Sequence, residues 1–183
     1  MGKRIGIALA LALGTVLILV MYLPGMRPSS RPPVTVSGQA AIGGPFMLED
    51  TNGNPVTEAV LNGHYSLVYF GYTFCPDICP LALQNMTQAL QMAGPVAEDV
   101  APVFITIDPE RDTKEIIAAY LAHFHPKMIG LTGTPELKAA ESAYRVYAAK
   151  APGSEGKSDY MMDHTGYIYL MDKQGRYVAH FPK

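Results

Sequence analysis

Tryptophan is absent from this 183-residue sequence, and cysteine occurs only twice. The first absence excludes nothing by itself. The second is restrictive. Iron–sulfur clusters normally take four thiolates, and structural zinc closes with four ligands. Two cysteines alone complete neither, and they do not make a disulfide scaffold in a chain of this length. Charge is also scarce, at 16% of residues against the usual quarter. The net charge of −2 and a pI near 6.2 leave no basic footprint, which excludes nucleic acid as a partner class. No internal repeat or long low-complexity tract breaks the chain.

What is plentiful is apolar residues, 49% of the total, enough for one domain with its own core. Ile5 to Leu23 is an almost unbroken apolar run preceded by Lys3 and Arg4. Its length suits a hydrocarbon core roughly 30 Å thick. It is longer than a usual signal-peptide core, and Pro24-Gly25-Met26 is no small-x-small cleavage site, so residues 1–25 are expected to be a membrane anchor rather than a cleaved signal. Arg27 and Arg31 flank its far side, so the basic-residue count barely favours a cytoplasmic N-terminus. Residues 26–41, rich in Pro, Ser, Gly and Arg, are expected to be a flexible linker. Residues 42–183 are the expected folded domain.

Strands and helices alternate along that domain. Strands are predicted over Pro45–Glu49, Ser66–Gly71, Val103–Ile107, Ile129–Leu131 and Thr165–Met171, with Tyr177–Phe181 returning as a hairpin after the turn Asp172–Gly175. Asn52-Gly53-Asn54 marks another turn. Helical spacing predicts a helix over Pro80–Met92 with Leu81, Leu83, Met86 and Leu90 inward, and one from a Thr113 cap to Phe124. A third is predicted over Pro135–Ala148 with Leu137, Ala140, Tyr144 and Tyr147 inward. The pattern argues for an α/β sheet with helices on both faces, the layout of a thioredoxin-like sandwich.

Both cysteines fall in Cys75-Pro76-Asp77-Ile78-Cys79, where an apolar strand hands over to a helix. The carboxyl end of a central strand is where open α/β sheets place their sites. A purely structural disulfide here would close a very short loop and contribute about 2 kcal/mol. A thiolate at a helix start is favoured by unpaired N–H groups and the helix dipole, and it is both the nucleophilic and the metal-binding form. Pro76 and Pro80 stiffen the loop. Soft sulfur ligands favour Cu(I), for which a neutral imidazole is a suitable third donor. His164, in Met161-Met162-Asp163-His164-Thr165, is one candidate, with Asp163 and Thr165 as neighbours able to support it. A lone histidine is more often a surface or core residue, so spacing does not single it out. His64, His123, His125 and His180 read as ordinary structural residues, and Met161 and Met162 read as core filler before they read as thioether ligands.

Three stretches resemble the Sco/SenC family of copper-handling proteins: Gly71 to Pro80, Ile105 to Thr113 and Asp163 to Leu170. Gly43-Gly44-Pro45-Phe46 and Gly130-Leu131-Thr132-Gly133 fit the same pattern. The resemblance implies a thioredoxin-like fold behind one N-terminal transmembrane helix, in a bacterial-type inner membrane with the domain in the periplasm or an equivalent compartment. It implies copper, as Cu(I) with Cu(II) as the alternative state, bound by Cys75, Cys79 and His164. It implies delivery to the dicopper site of cytochrome c oxidase subunit II, with other copper-handling proteins as partners. Cys75 and Cys79 would also form a redox-active disulfide. The alternative is a thiol–disulfide reductase that maintains the cysteines of that copper site. Against it stand the three-residue spacing and the lack of a proline in Asp163-His164-Thr165. A peroxiredoxin-type peroxidase expects a threonine three residues before its cysteine, where Tyr72 and Pro76 stand. For Asp108, Glu110, Arg111 and Asp112 the expectation is a loop fastened by hydrogen bonds and ion pairs, with partner recognition as the alternative. The resemblance also leads one to expect a further helix after the last hairpin. The sequence closes with Phe181-Pro182-Lys183; either it is a truncated chain or this member lacks that helix, and in the second case an apolar sheet face is expected to be open or covered by a partner.

Overall fold

In chain order the elements are β1 (Met47–Asp50), β2 (Pro55–Thr57), β3 (Tyr65–Gly71), α1 (Ile78–Ala93), β4 (Val100–Thr106), α2 (Lys114–Leu121), β5 (Ile129–Thr132), α3 (Leu137–Ala143), β6 (Ala148–Lys150), β7 (Met162–His164), β8 (Tyr167–Met171) and β9 (Tyr177–Pro182). The computed structural model describes residues 41–133, 136–153 and 159–182. The predicted anchor and all of the linker except Ala41 lie outside these residues. Among the described residues no helix is long and apolar enough to cross a membrane.

Seven strands form one mixed sheet in the order β2-β1-β5-β4-β3-β8-β9. β3, β4 and β5 run parallel at its centre, and β8 is antiparallel to β3. Side chains alternate across a strand, so the two faces can be read from the register. Tyr69, Phe104 and Gly130 stand abreast on one face. There Phe104 meets Tyr120 of α2, Ile117 and Leu121 of α2 crowd over Gly130, and Cys79 of α1 lies against Gly71. On the opposite face Phe70 and Tyr169 pack on Tyr144 at the end of α3. Helices therefore cover both faces, as predicted.

Several boundaries differ from expectation for local reasons. α1 begins at Ile78 because the Asp77 carbonyl accepts the Leu81 N–H. Pro80 then falls in the first turn, where its missing donor is not needed. The buried stripe is Cys79, Ala82, Leu83, Met86 and Leu90. Leu81 lies off it and is half exposed. α2 has the predicted Thr113 cap, but stops at Leu121, where His123 and Phe124 close tighter three-residue bonds. α3 stops at Ala143 because Arg145 adopts φ +54. The chain after it extends and pairs instead: Tyr147 N–H bonds Thr165 Oγ1, and Thr165 N–H returns to the Tyr147 carbonyl. Tyr147 is consequently 64% exposed rather than inward. The strand predicted over Thr165–Met171 forms as β8, two residues shorter at its start, and joins the main sheet, whereas β7, just before it, pairs with β6 in a separate ribbon that the sequence pattern did not predict. At the β8–β9 end of the sheet, Tyr167, Val178 and Phe181 are exposed.

Gly130 permits the close approach of α2, since a Cβ there would lie 2.5 Å from Ile117 and 2.6 Å from Leu121. Gly130→Val is expected to destabilise the domain by about 1–3 kcal/mol through overpacking, seen as a lower urea midpoint at unchanged slope.

Candidate metal centre

The dithiol loop follows directly from the end of β3. Its turn closes with Cys75 N–H on the Tyr72 carbonyl at 3.3 Å. Cys79 is the second residue of α1, where backbone donors have no intrahelical partner. Its N–H is accordingly directed to Cys75 Sγ at 3.4 Å. Cys79 is fully buried against Gly71, whereas Cys75 is partly exposed, and no disulfide joins them.

His164 reaches this loop from 85 residues away, its Nε2 standing 3.5 Å from Cys79 Sγ. It ends β7, paired opposite Ala148 of β6, so the ribbon carries it to the cysteines. Its Nδ1 is 3.0 Å from the Thr165 carbonyl. A carbonyl only accepts, so Nδ1–H donates to it and Nε2 is the ring atom turned toward the sulfurs. Thr165 thus supports the ring through its backbone. The rings of Tyr69 and Tyr72 stand edge-on to the imidazole at 6.2 and 5.9 Å. Cys75, His164, Asp163, Met161 and Met162 line one cleft of about 300 Å³ together with Tyr72 and Pro76–Ile78. Among the described residues no three His, Cys, Asp or Glu side chains already stand as a finished cation site. The two thiols and the imidazole converge without being closed around a point. The other histidines lie elsewhere: His125 lines a separate hollow beside α2, and His180 bonds Tyr177 on β9.

The two sulfurs are electrostatically unequal. The Cys79 thiol donates to Cys75, and with help from His164 this holds the Cys75 thiol well below the usual thiol range. Cys79 keeps the shared proton. Its pKa is pushed up first by that same contact and then by burial. The pair therefore rests with an accessible thiolate at Cys75 and a buried thiol at Cys79. Burial also raises the phenols of Tyr69 and Tyr72, which keeps both neutral beside the thiolate.

A sequence model of the SCO1/SenC family matches residues 34–183. The chain belongs to that family. It is 39% identical to an SCO2-like protein of Rickettsia felis, across 96% of this chain and 86% of that one. It is 45% identical to the mitochondrial SCO1 homolog of Mus musculus, across 79% of this chain and 51% of that one. Among solved structures, Bradyrhizobium japonicum ScoI with copper bound is 48% identical at a TM-score of 0.71, covering 77% of this chain and 89% of that one. Yeast Sco1 with copper bound is 42% identical at 0.72, covering 79% and 81%. The fold is accordingly the thioredoxin-like α/β arrangement.

In this SCO1/SenC member the Asp108–Thr113 segment fastens the cysteine loop, the local role expected for it. Asp112 is fully buried and accepts from Thr73 N–H (3.0 Å), Thr73 Oγ1–H (2.5 Å) and Thr106 Oγ1–H (2.6 Å). Asp108 accepts from Arg111 Nε (2.6 Å) and Tyr160 Oη (2.5 Å). The Arg111 guanidinium lies 3.6 Å from the centre of the Tyr160 ring and 4.7 Å from that of Phe74. One clamp thus holds both Phe74, beside Cys75, and Tyr160, four residues before His164. Tyr72 makes a second link, its hydroxyl accepting Met162 N–H at 3.3 Å. The support given by Tyr72 and Tyr160 was not visible in sequence. A buried phenol wants a partner, but only the folded chain reveals which phenols are buried.

Iodoacetamide is expected to alkylate Cys75 at nearly equal rates at pH 6 and pH 8, where an unperturbed thiol slows by roughly tenfold per unit below its pKa. Mass spectrometry of the alkylated residue reads this, and Cys79→Ala should restore ordinary dependence. Asp112→Ala strands three donors and is expected to cost about 1–3 kcal/mol or more in chemical denaturation.

Proposed function

We propose that this protein is a membrane-anchored copper chaperone. Cys75, Cys79 and His164 bind Cu(I) and deliver it to the dicopper site of cytochrome c oxidase subunit II. Its domain works in the periplasm, held by the residues 1–25 anchor to an inner membrane of bacterial type. The reading rests on one observation above all, the 3.5 Å approach of His164 Nε2 to Cys79 Sγ beside the Cys75 thiolate. Two sulfurs and a neutral imidazole nitrogen are a soft donor set that suits Cu(I). The copper-bound state of ScoI and yeast Sco1, both above 40% identical, supports the same cargo here.

Loading requires Cys79 to surrender its proton, because thiolate is the ligand form. Cu(I) then meets two thiolates and a neutral nitrogen, and one proton leaves. The Cys75 side of the cleft is open, so an incoming thiolate or imidazole can bind before the old donors let go. The copper then passes through shared ligands and is never free. Tethering to the membrane raises its effective concentration near membrane partners.

One observation favours a second activity. A depressed pKa at an exposed Cys75 is also what a thiol–disulfide reductase uses. Cys75 thiolate would attack a target disulfide and release one target thiolate. Cys79 would then displace the second, leaving a Cys75–Cys79 disulfide and a reduced target.

Titration of the reduced domain with Cu(I) against a chromophoric chelator is expected to give one copper per chain, with affinity rising about tenfold per pH unit while Cys79 must release its proton. Cys75→Ser, Cys79→Ser and His164→Ala should each abolish stoichiometric loading. Loading indifferent to His164, with turnover on a protein disulfide, would decide for the reductase.

A further inference from the structure

Met161 and Met162 are adjacent in sequence but do different things. Met162 packs against the hydrophobic core, and its N–H is held by Tyr72. Met161 is 44% exposed, and core packing does not account for its side chain. Its backbone is fixed, since its carbonyl accepts Ala151 N–H at 2.8 Å. Its side chain lines the same cleft as Cys75 and His164. The thioether sulfur lies 4.0 Å from the Tyr72 hydroxyl. Tyr72 lines that cleft together with Cys75, and its ring faces His164 edge-on. Met161 Sδ, Cys75 and His164 are therefore gathered about one phenol at the open side of the cleft.

We propose that Met161 is an additional copper ligand, placing its thioether sulfur on the solvent side of the metal carried at Cys75, Cys79 and His164. Thioether sulfur selects Cu(I), and an unbranched side chain with three rotatable bonds can swing to meet it. Unlike the thiolates and the imidazole, it has no proton to lose or gain. It can therefore hold copper on the exposed side whatever the protonation of the other donors. The donor count rises by one neutral sulfur, with no change in charge and no redox step. This inference rests on the copper reading above and adds a residue to it.

The test is X-ray absorption at the copper edge on selenomethionine-labelled, reduced protein loaded with Cu(I), with bound copper quantified in the same samples. The wild type and Met162→Leu are expected to show copper–selenium scattering, and Met161→Leu is expected to lose it while still binding copper. Leucine is close in size and the site is half open, so the fold should survive. The wild-type spectrum is in any case a test by itself. Stoichiometric copper without a selenium neighbour, or a selenium signal that persists in Met161→Leu, overturns the assignment of Met161 and leaves the chaperone reading standing. Failure of the wild type to bind copper at all removes that reading and the Met161 ligand with it.

Discussion

The approach of one imidazole nitrogen to one buried sulfur is the contact on which the geometry of the candidate site depends. His164 Nε2 and Cys79 Sγ are 3.5 Å apart, yet lie in different supersecondary units. The cysteine sits at the start of α1, carried by the central sheet. The histidine sits on the two-stranded β6–β7 ribbon. Nothing local to either residue sets the distance, and a small slip of the ribbon would open it.

The surrounding polar residues make sense as resistance to that slip. Asp108 and Asp112 stand at the end of β4, the strand next to β3, and they bind outward in two directions. Asp112 holds Thr73 at the root of the cysteine loop. Asp108, with Arg111, holds Tyr160 at the approach to the ribbon. Buried carboxylates are costly unless fully bonded; here the bonds to Thr106 and Arg111 are local, and those to Thr73 and Tyr160 tie the two sides of the cleft to the same strand end. Tyr72 then crosses from β3 to Met162 directly. Ion pairs at an exposed surface are worth little, but these partners are largely shielded from water, so the energy goes into position as much as stability.

The inequality of the two cysteines has the same origin. Both belong to one short segment, but Cys79, in the first turn of α1, is buried against Gly71 while Cys75 faces the cleft. The contact between the sulfurs places the negative charge on Cys75, and burial adds to the penalty for charge at Cys79. An accessible anionic sulfur beside an imidazole and a thioether is an arrangement in which a soft cation can be met one donor at a time.

Much of this was determined by local sequence alone. The apolar runs at Ser66–Gly71 and Val103–Ile107 and the Thr113 cap are consequences of short-range preferences. The placement of both cysteines at a strand-to-helix junction is another, and the family motifs added His164 to them. Tertiary structure alone decided the rest. Helical spacing over Pro135–Ala148 looked continuous, but pairing of Tyr147 with Thr165 drew the chain into a ribbon and turned Tyr147 outward. Which tyrosines would be buried beside the site, which methionine would face the cleft, and how near the imidazole would come were equally illegible. Local patterns reflect energies between neighbours in the chain. These distances arise between segments that meet only after the sheet, the helices and the ribbon have packed.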